Sequence, residues 1–442
     1  MTSAQPTNVP PGSTGLPGLG ETLSFLKDPY GFVRTRVKTH GPVFKRSLFG
    51  KKTVVIIGSE AAARFIEPAL VERLGSQPAP VFRLFAGPTV PHLDGTAHGE
   101  RKKLLLRAFT RDALTAYLPK TQALVEESFA RWADRPEVRL VDETKRLALA
   151  AVAQDIVGIA GADDLARLDA WYADIGAAFA GLPVPIPGTK YTRGLIALGE
   201  VLAFFGEVVR AHRAKPTGDG LSRILAFKTP SGVSISDDEA ARELHHFVIA
   251  GRVVYAHLLT VVMALAKHPE VRQRLQSEVE RDLPDGTLSV EKLLAMKYLT
   301  QVLMEVKRTS PVVPGMFGRA KADIALGGFM IPRGWTVMFG LRESLVDGSA
   351  FVDPDRFDPE RFAAPRNEDK RHEHALVPHG PGQPQTSHHC AGTDYASQLT
   401  KIFMVTLVRR YRMELPEQRL DYEWSQLTPD PKDGLRARVV KV

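Results

Sequence analysis

One cysteine, Cys390, stands among 442 residues, in Ser387-His388-His389-Cys390-Ala391-Gly392 directly before a stretch of helical periodicity. A thiolate at a helix N-terminus is stabilised by the helix dipole and by free backbone N–H groups. Gly392 lets the backbone pass close to a flat ligand. Such a sulfur suits a nucleophile, a zinc ligand or a haem ligand, and these six residues do not choose among them. The plain alternative is a buried, inert thiol, the commonest state of a lone cysteine. His372, His374, His379, His388 and His389 invite a zinc site, but tight ligand pairs are missing. Zinc also gives no reason for the Glu305, Arg308 and Arg361 set described below.

A second group of residues draws notice for what it lacks. Ala250-Gly251-Arg252-Val253-Val254 lies inside a long apolar stretch, and no Asp, Glu, Ser or Thr occurs between Leu244 and Leu259. Two valines cannot relay protons. Arg252 is then the polar group of interest, either anchoring an anion or pointing away towards solvent or a carboxylate. His246, Ala250, Val253 and His257 share one helical face, where histidines serve as packing groups or as proton donors. His98 and Lys102, four apart, share a face of another helical stretch, Asp94-Gly95-Thr96-Ala97-His98-Gly99-Glu100-Arg101-Lys102-Lys103.

The elements that must position these groups are mostly helical. Two short strands, residues 42–48 and 53–58, flank the turn at Gly50-Lys51-Lys52. From about residue 61 to 266, apolar residues recur at three and four positions, notably over 113–129, 165–179, 195–209 and 244–266. Residues 269–281 and 290–309 extend the helical run, which Pro311 closes. Residues 312–339 read as short strands, 351–389 as a long irregular segment, and 392–411 as a final amphipathic helix. A structureless stretch of that length in a compact chain is usually functional, and this one ends at Cys390. The expected architecture is mainly α with small β-sheets, a single domain over 1–442, with 1–14 a flexible lead.

Composition excludes several classes. Hydrophobic residues make up 44% and charged residues 24%, as in ordinary globular proteins. No run reaches about 18 uncharged apolar residues, so no membrane span is expected. The polar start lacks the pattern of a signal peptide, and a cytoplasmic protein follows. Lysines and arginines give a net charge of +8 but are scattered, with no nucleic-acid motif. A basic face for an acidic protein partner and a merely soluble surface are equally consistent with that charge.

Several of these residues, in order, resemble elements of the cytochrome P450 family. Glu305-Val306-Lys307-Arg308 resembles its Glu-x-x-Arg, and Phe357-Asp358-Pro359-Glu360-Arg361-Phe362 its Pro-Glu-Arg-Phe. The opening Pro10-Pro11-Gly12-Ser13-Thr14-Gly15-Leu16-Pro17-Gly18 is similar to the family's hinge. The resemblance implies the P450 fold, haem b held by Cys390, and Glu305, Arg308 and Arg361 as a buried structural ion-pair network. It places the haem between residues 244–266 and the Cys390 loop. It also implies His98 and Lys102 as a propionate-binding pair. Phe317-Gly318-Arg319 is similar to the strand that supplies a further propionate arginine, implying that role for Arg319, and His388 stands where the family has another.

The departures bear on mechanism. Most members read Phe-x-x-Gly-x-Arg-x-Cys before the cysteine; here Pro378-His379-Gly380 opens a longer loop without the aromatic residue. Such loops resemble those of fatty-acid peroxygenases and of allene oxide synthases with hydroperoxide lyases. Monooxygenases show Ala-Gly-x-Asp/Glu-Thr where Ala250, Gly251, Arg252, Val253 and Val254 stand, and the acid and alcohol relay protons for dioxygen activation. The resemblance therefore implies oxidation or rearrangement of a hydrophobic small molecule through a peroxide, a hydroperoxide or another non-standard route. In the peroxygenases an arginine of this helix binds the substrate carboxylate, a role open to Arg252, although valine rather than proline follows it here. The alternatives are an NAD(P)H-dependent monooxygenase served by a ferredoxin or flavodoxin, and a non-catalytic haem-binding partner protein.

Overall fold

A computed structural model describes residues 8–15 and 20–442. Residues 1–7 of the expected flexible lead, and Leu16, Pro17 and Gly18 of the hinge-like opening, lie outside the described residues. The part that is described docks on the first strand, where the Lys45 N–H donates to Pro11 O at 2.7 Å.

Helices dominate, as the periodicity predicts. Those that position the site are α1 (Gly95–Leu105), α2 (Arg111–Ala133), α3 (Leu140–Val152), α4 (Ala162–Phe179), α5 (Lys190–Ala214), α6 (Asp237–Arg252), α7 (Tyr255–Lys267), α8 (Pro269–Asp282), α9 (Lys297–Thr309) and α10 (Thr393–Arg410). Helix α6 starts at a reciprocal cap. Ser236 Oγ accepts from the Glu239 N–H at 3.3 Å while Glu239 Oε2 accepts from the Ser236 N–H at 3.0 Å, and three acidic residues follow in the first turn.

The expected single helix over 244–266 is in fact two segments. At Val253 and Val254 the turn tightens: the Val254 N–H reaches Gly251 O at 3.2 Å and the His257 N–H reaches Val254 O at 2.9 Å. These are three-residue steps of 3-10 type. Adjacent β-branched side chains lose rotamer freedom against the preceding turn and weaken the α-helix here. Taken together, Asp237–Lys267 is long and apolar enough to cross a bilayer, with a mean hydropathy of 1.9 in its most apolar stretch, yet 78% of that stretch is buried inside the protein. It is apolar all round because protein surrounds it. Gly251 is part of that packing, since a Cβ there would lie 2.8 Å from Val152 of α3.

Strands β1 (Val43–Leu48), β2 (Lys51–Ile56), β3 (Val71–Glu72), β4 (Gly315–Ala320) and β5 (Thr336–Gly340) form one sheet in the order β1-β2-β5-β4-β3. Strand β5 runs parallel to β2 and antiparallel to β4, which in turn pairs antiparallel with β3. A smaller sheet joins Val138–Arg139, Arg436–Lys441 and Tyr411–Glu414. The predicted 290–309 helix divides at Met296 into Val290–Ala295 and α9.

The long irregular segment is held by charge. Glu305 on α9, wholly buried, accepts from Arg308 Nε (2.7 Å) and Nη2 (2.8 Å), from Arg361 Nε (3.1 Å) and from the Asp358 N–H (2.9 Å). Arg361 reaches on to Glu368 at 2.7 Å and to the carbonyls of Val352 and Arg356 at 2.8 Å each. The stretch from Val352 to Glu368 is thereby tied back to one carboxylate.

Three histidines are locked neutral in the core. His92 donates or accepts at Gln77 and Thr89, and His245 bridges Tyr172 OH (3.1 Å) and Leu84 O (2.8 Å). Burial pushes His92 and His245 down to about 4, and burial with the Lys307 charge pushes His257 down to about 3. Their folded values lie below the ordinary 6.5, so the unfolded chain takes up protons first as the pH falls. Stability is whole above about pH 6.5 and declines below it by about 1.4 kcal/mol per pH unit for each such histidine, until the folded value is reached. Urea midpoints should fall between pH 6.5 and 4.5, and His245→Gln should flatten that slope. A level profile across this window would contradict the assignment.

Candidate active site

Cys390 sits three residues ahead of Thr393, the first residue of α10, and is exposed. Its backbone is tied on both sides: the Cys390 N–H donates to His379 O at 3.0 Å, and Thr393 Oγ1 donates to Cys390 O at 2.9 Å. His389 spans the loop between Gly380 O (2.9 Å) and Thr393 Oγ1 (3.1 Å). Gly380 and Gly382 adopt φ of 91° and 94°, and a Cβ at 382 would meet Ser387 Oγ at 2.5 Å. Only glycine fits this turn, so the lengthened loop is a built structure.

Lys102 does something the sequence reading did not foresee. Its ammonium donates to the main-chain carbonyls of Ser387 (2.7 Å) and His389, clamping α1 to the cysteine loop. Burial pushes Lys102 down to about 8, with the charge on Cys390 opposing. A second buried lysine, Lys307, donates to Ser397 Oγ at 2.7 Å. Burial lowers it to about 8 as well, with Asp394 and Cys390 opposing. Two ammonium groups and the start of α10 thus make the potential positive where the sulfur lies.

At one edge of this loop the rings of His98 and His388 stack, 4.0 Å between centroids at 30°. His388 Nε2 lies 3.8 Å from Asp94 Oδ1. Burial, with the His388 and Lys102 charges, lowers His98 to about 3. Burial works to raise Asp94, but His388 and the N–H groups of Leu74 and Arg73 outweigh it and hold the carboxyl at about 2. Sequence reasoning passed over Arg73, which is buried here, its guanidinium 3.8 Å over the Phe65 ring.

Arg319 is a correction. The expected propionate arginine is turned outward on β4, its side chain 46% exposed, and pairs with Glu72 at 2.8 Å. Side chains alternate along a strand, so Gly318 faces inward and Arg319 does not. The structure brings His98, Lys102, His388, Cys390 and Gly392 together and leaves Arg319 outside.

Opposite the loop lies α6. Phe109 links the two sides, 3.7 Å from the Cβ position of Gly392 and 5.5 Å, edge-on, from the Phe247 ring. No protein atom crowds Gly392. Ala250 is half-buried beside Gly251, and the valines stand at the helix break. Arg252 is buried, donates to Gln426 Oε1 at 2.9 Å and lies 3.7 Å from Asp169. Among the described residues its Nε has no partner. It lines a cavity of about 30 Å³ with Tyr172, Phe179, Ile249, Val253 and Leu427. His246 pairs with Glu243 at 3.1 Å. His257 lies 6.2 Å from His379, and each ring keeps one buried nitrogen unpartnered among the described residues. The histidines of the shared face therefore split between two environments.

Haem b requires a thiolate on one side, apolar walls, and donors for two carboxylates. An exposed sulfur in a positive potential, the Phe109 and Phe247 rings, and the His98, His388 and Arg73 group meet those needs. Among the described residues no three His, Cys, Asp or Glu side chains gather as a metal site of their own.

Comparison with known proteins agrees. A family model described as Cytochrome P450 matches residues 10–432. "Putative cytochrome P450 120" of Synechocystis sp. is 30% identical, over 98% of both chains. The solved "Retinoic acid bound cyanobacterial CYP120A1" superposes with a TM-score of 0.91 at 29% identity, covering both chains in full. Cytochrome P450 OleT F79A in complex with arachidonic acid shares the fold, with a TM-score of 0.82 at 24% identity over 96% of this chain and 97% of that one.

The Lys102 clamp is open to test. Lys102→Met leaves two half-buried carbonyls without this donor, at about 1.5–3 kcal/mol for a charged hydrogen bond. Amide exchange should accelerate at residues 387–390 while the middle of α10 stays protected. Equal protection of the loop in both proteins would show that the clamp does not hold it.

Proposed function

The chain belongs to the cytochrome P450 family, and from that footing we propose that it oxidises an apolar carboxylic acid, anchored at Arg252, with a peroxide as oxidant. The protein is a haem b oxidoreductase acting on hydrophobic substrates. Cys390 would hold the iron, with His98 and His388 beside the haem carboxylates. When bound, haem with a thiolate ligand supplies O–O bond cleavage and substrate oxidation.

The observation that carries the substrate reading is Arg252. A buried guanidinium with an unpartnered Nε, lining a small cavity, has unused capacity for a carboxylate. Gln426 and Asp169 occupy only part of its donor set. Ile175, Phe179, Ile249, Val253 and Leu427 share the wall, so a chain leaving that acid group meets apolar surface. CYP120A1, with retinoic acid bound, is a similar protein holding an apolar chain that ends in a carboxylate.

The oxidant follows from Val253 and Val254. Neither side chain can take or give a proton, so the chain itself supplies no acid–alcohol pair at this break. A peroxide arrives already reduced by two electrons and needs no reductase. A substrate carboxylate held at Arg252 would act as the missing acid–base group, which makes anchoring and turnover depend on the same contact.

Three measurements test this. The reduced carbon-monoxide difference spectrum should show the thiolate band in the wild type and lose it in Cys390→Ala. Arg252→Gln should weaken the spectral titration of a long-chain carboxylic acid about tenfold or more, the loss expected for a charged hydrogen bond of about 1.5–3 kcal/mol, and leave its methyl ester unchanged. Turnover should proceed with hydrogen peroxide alone. A strict need for NAD(P)H with a ferredoxin or flavodoxin would overturn the oxidant and leave the Arg252 result standing by itself.

A further inference from the structure

Outside the thiol and the Arg252 cavity, the least satisfied charge near the site is Arg73. It follows β3, is 5% exposed, and among the described residues its guanidinium makes one hydrogen bond, Nη1 to Phe317 O at 2.9 Å. Guanidinium carries five N–H donors. No carboxylate lies within ion-pair reach of it among the described residues, because Asp94 is spent on the backbone N–H groups of Arg73 and Leu74 at 2.8–2.9 Å. A buried cation so poorly paired is costly, and burial pulls Arg73 down to about 9 with only the Asp94 charge opposing.

Strand register explains how it comes to lie there. Glu72 pairs with Arg319 and Val71 with Ala320, so Glu72 and Arg319 meet on the outer face. Gly318 faces inward, and a Cβ there would meet Val71 Cγ1 at 2.4 Å, Phe65 Cε2 at 3.1 Å and Arg73 Nη1 at 3.3 Å. The space that a side chain at 318 would enter is closed by Val71 and Phe65, and the Arg73 guanidinium, carried just past the end of the neighbouring strand, lies at its edge. Its charge is felt at both His98 and His388, so the three groups face one region.

We propose that Arg73 supplies the guanidinium that pairs with a haem carboxylate, in the place the sequence offers to Arg319. This rests on the haem of the family and on Cys390 as its ligand, and not on the oxidant or the substrate. A carboxylate there would complete the donor set of Arg73, with the rings of His98 and His388 facing the same region. Glycine at 318 keeps this packing open, because a side chain there would drive into Val71 and Phe65 and crowd Arg73 beside them.

The test compares Arg73→Leu, Arg73→Lys and Arg319→Leu as purified holoenzymes. Two properties are read: the rate of haem loss to an excess haem acceptor, and the propionate-bending band in resonance Raman. Arg73→Leu should lose haem about tenfold faster with a displaced propionate band. Arg73→Lys should be intermediate, and Arg319→Leu should match the wild type in both. Should Arg73→Leu fail to fold, Arg73→Gln, which keeps the Phe317 contact within reach, carries the comparison. Faster haem loss with an unmoved propionate band would reduce Arg73 to a packing role and overturn the proposal, as would a propionate shift in Arg319→Leu. A failed carbon-monoxide signature in every protein, wild type included, would instead strike the Cys390 reading beneath it.

Discussion

The carboxylate of Glu305 is the constraint on which the site depends. It is fully buried, shared by Arg308 and Arg361, and also receives the Asp358 N–H. Charges taken out of water are expensive, and such a set persists only when every member is paired. Here the pairing spans two remote pieces of chain: a regular helix, α9, and an irregular segment that has almost no ladder of its own. Arg361 then passes the connection to Glu368 and to three carbonyls. A segment that would otherwise pay its conformational entropy without return acquires a fixed path, and the cysteine loop begins where that path ends.

Around the sulfur the polar groups are arranged with unusual thrift. Lys102 and Lys307 are both buried, both lowered by burial, and both placed so that Cys390 opposes that lowering. Each is partnered by neutral oxygens, a pair of carbonyls for one and a hydroxyl for the other. Neither ammonium is bonded to a carboxylate among the described residues, and the charge of Asp394 bears on Lys307.

Much of this was legible in the sequence, because much of it is local. Periodicity located α2, α4, α5, α8 and α10 within a few residues, and the hairpin of β1 and β2 followed from its turn. Glu305, Arg308, Arg361 and Cys390 were visible through their resemblance to motifs of the family, taken in order along the chain. What stayed hidden depends on pairing between distant segments. Whether Arg319 or Gly318 faces inward is decided by the register of β4 against β5 and β3, which no short motif records. Arg73 carries no signal of its own in Val71-Glu72-Arg73-Leu74; its position exists only once β3 is laid beside β4. The break at Val253 and Val254 was hidden for another reason: an apolar run looks continuous whether or not its helix does. The Lys102 clamp was read as a ligand-binding residue because the sequence showed its face and not its reach.

That clamp acts on main-chain oxygens, which every residue type possesses. The tether itself therefore does not depend on the side chains at 387 and 389, which brace the loop through separate contacts of their own. Helix α1 and the sulfur loop are fastened into one rigid piece by a bond indifferent to the letters it holds.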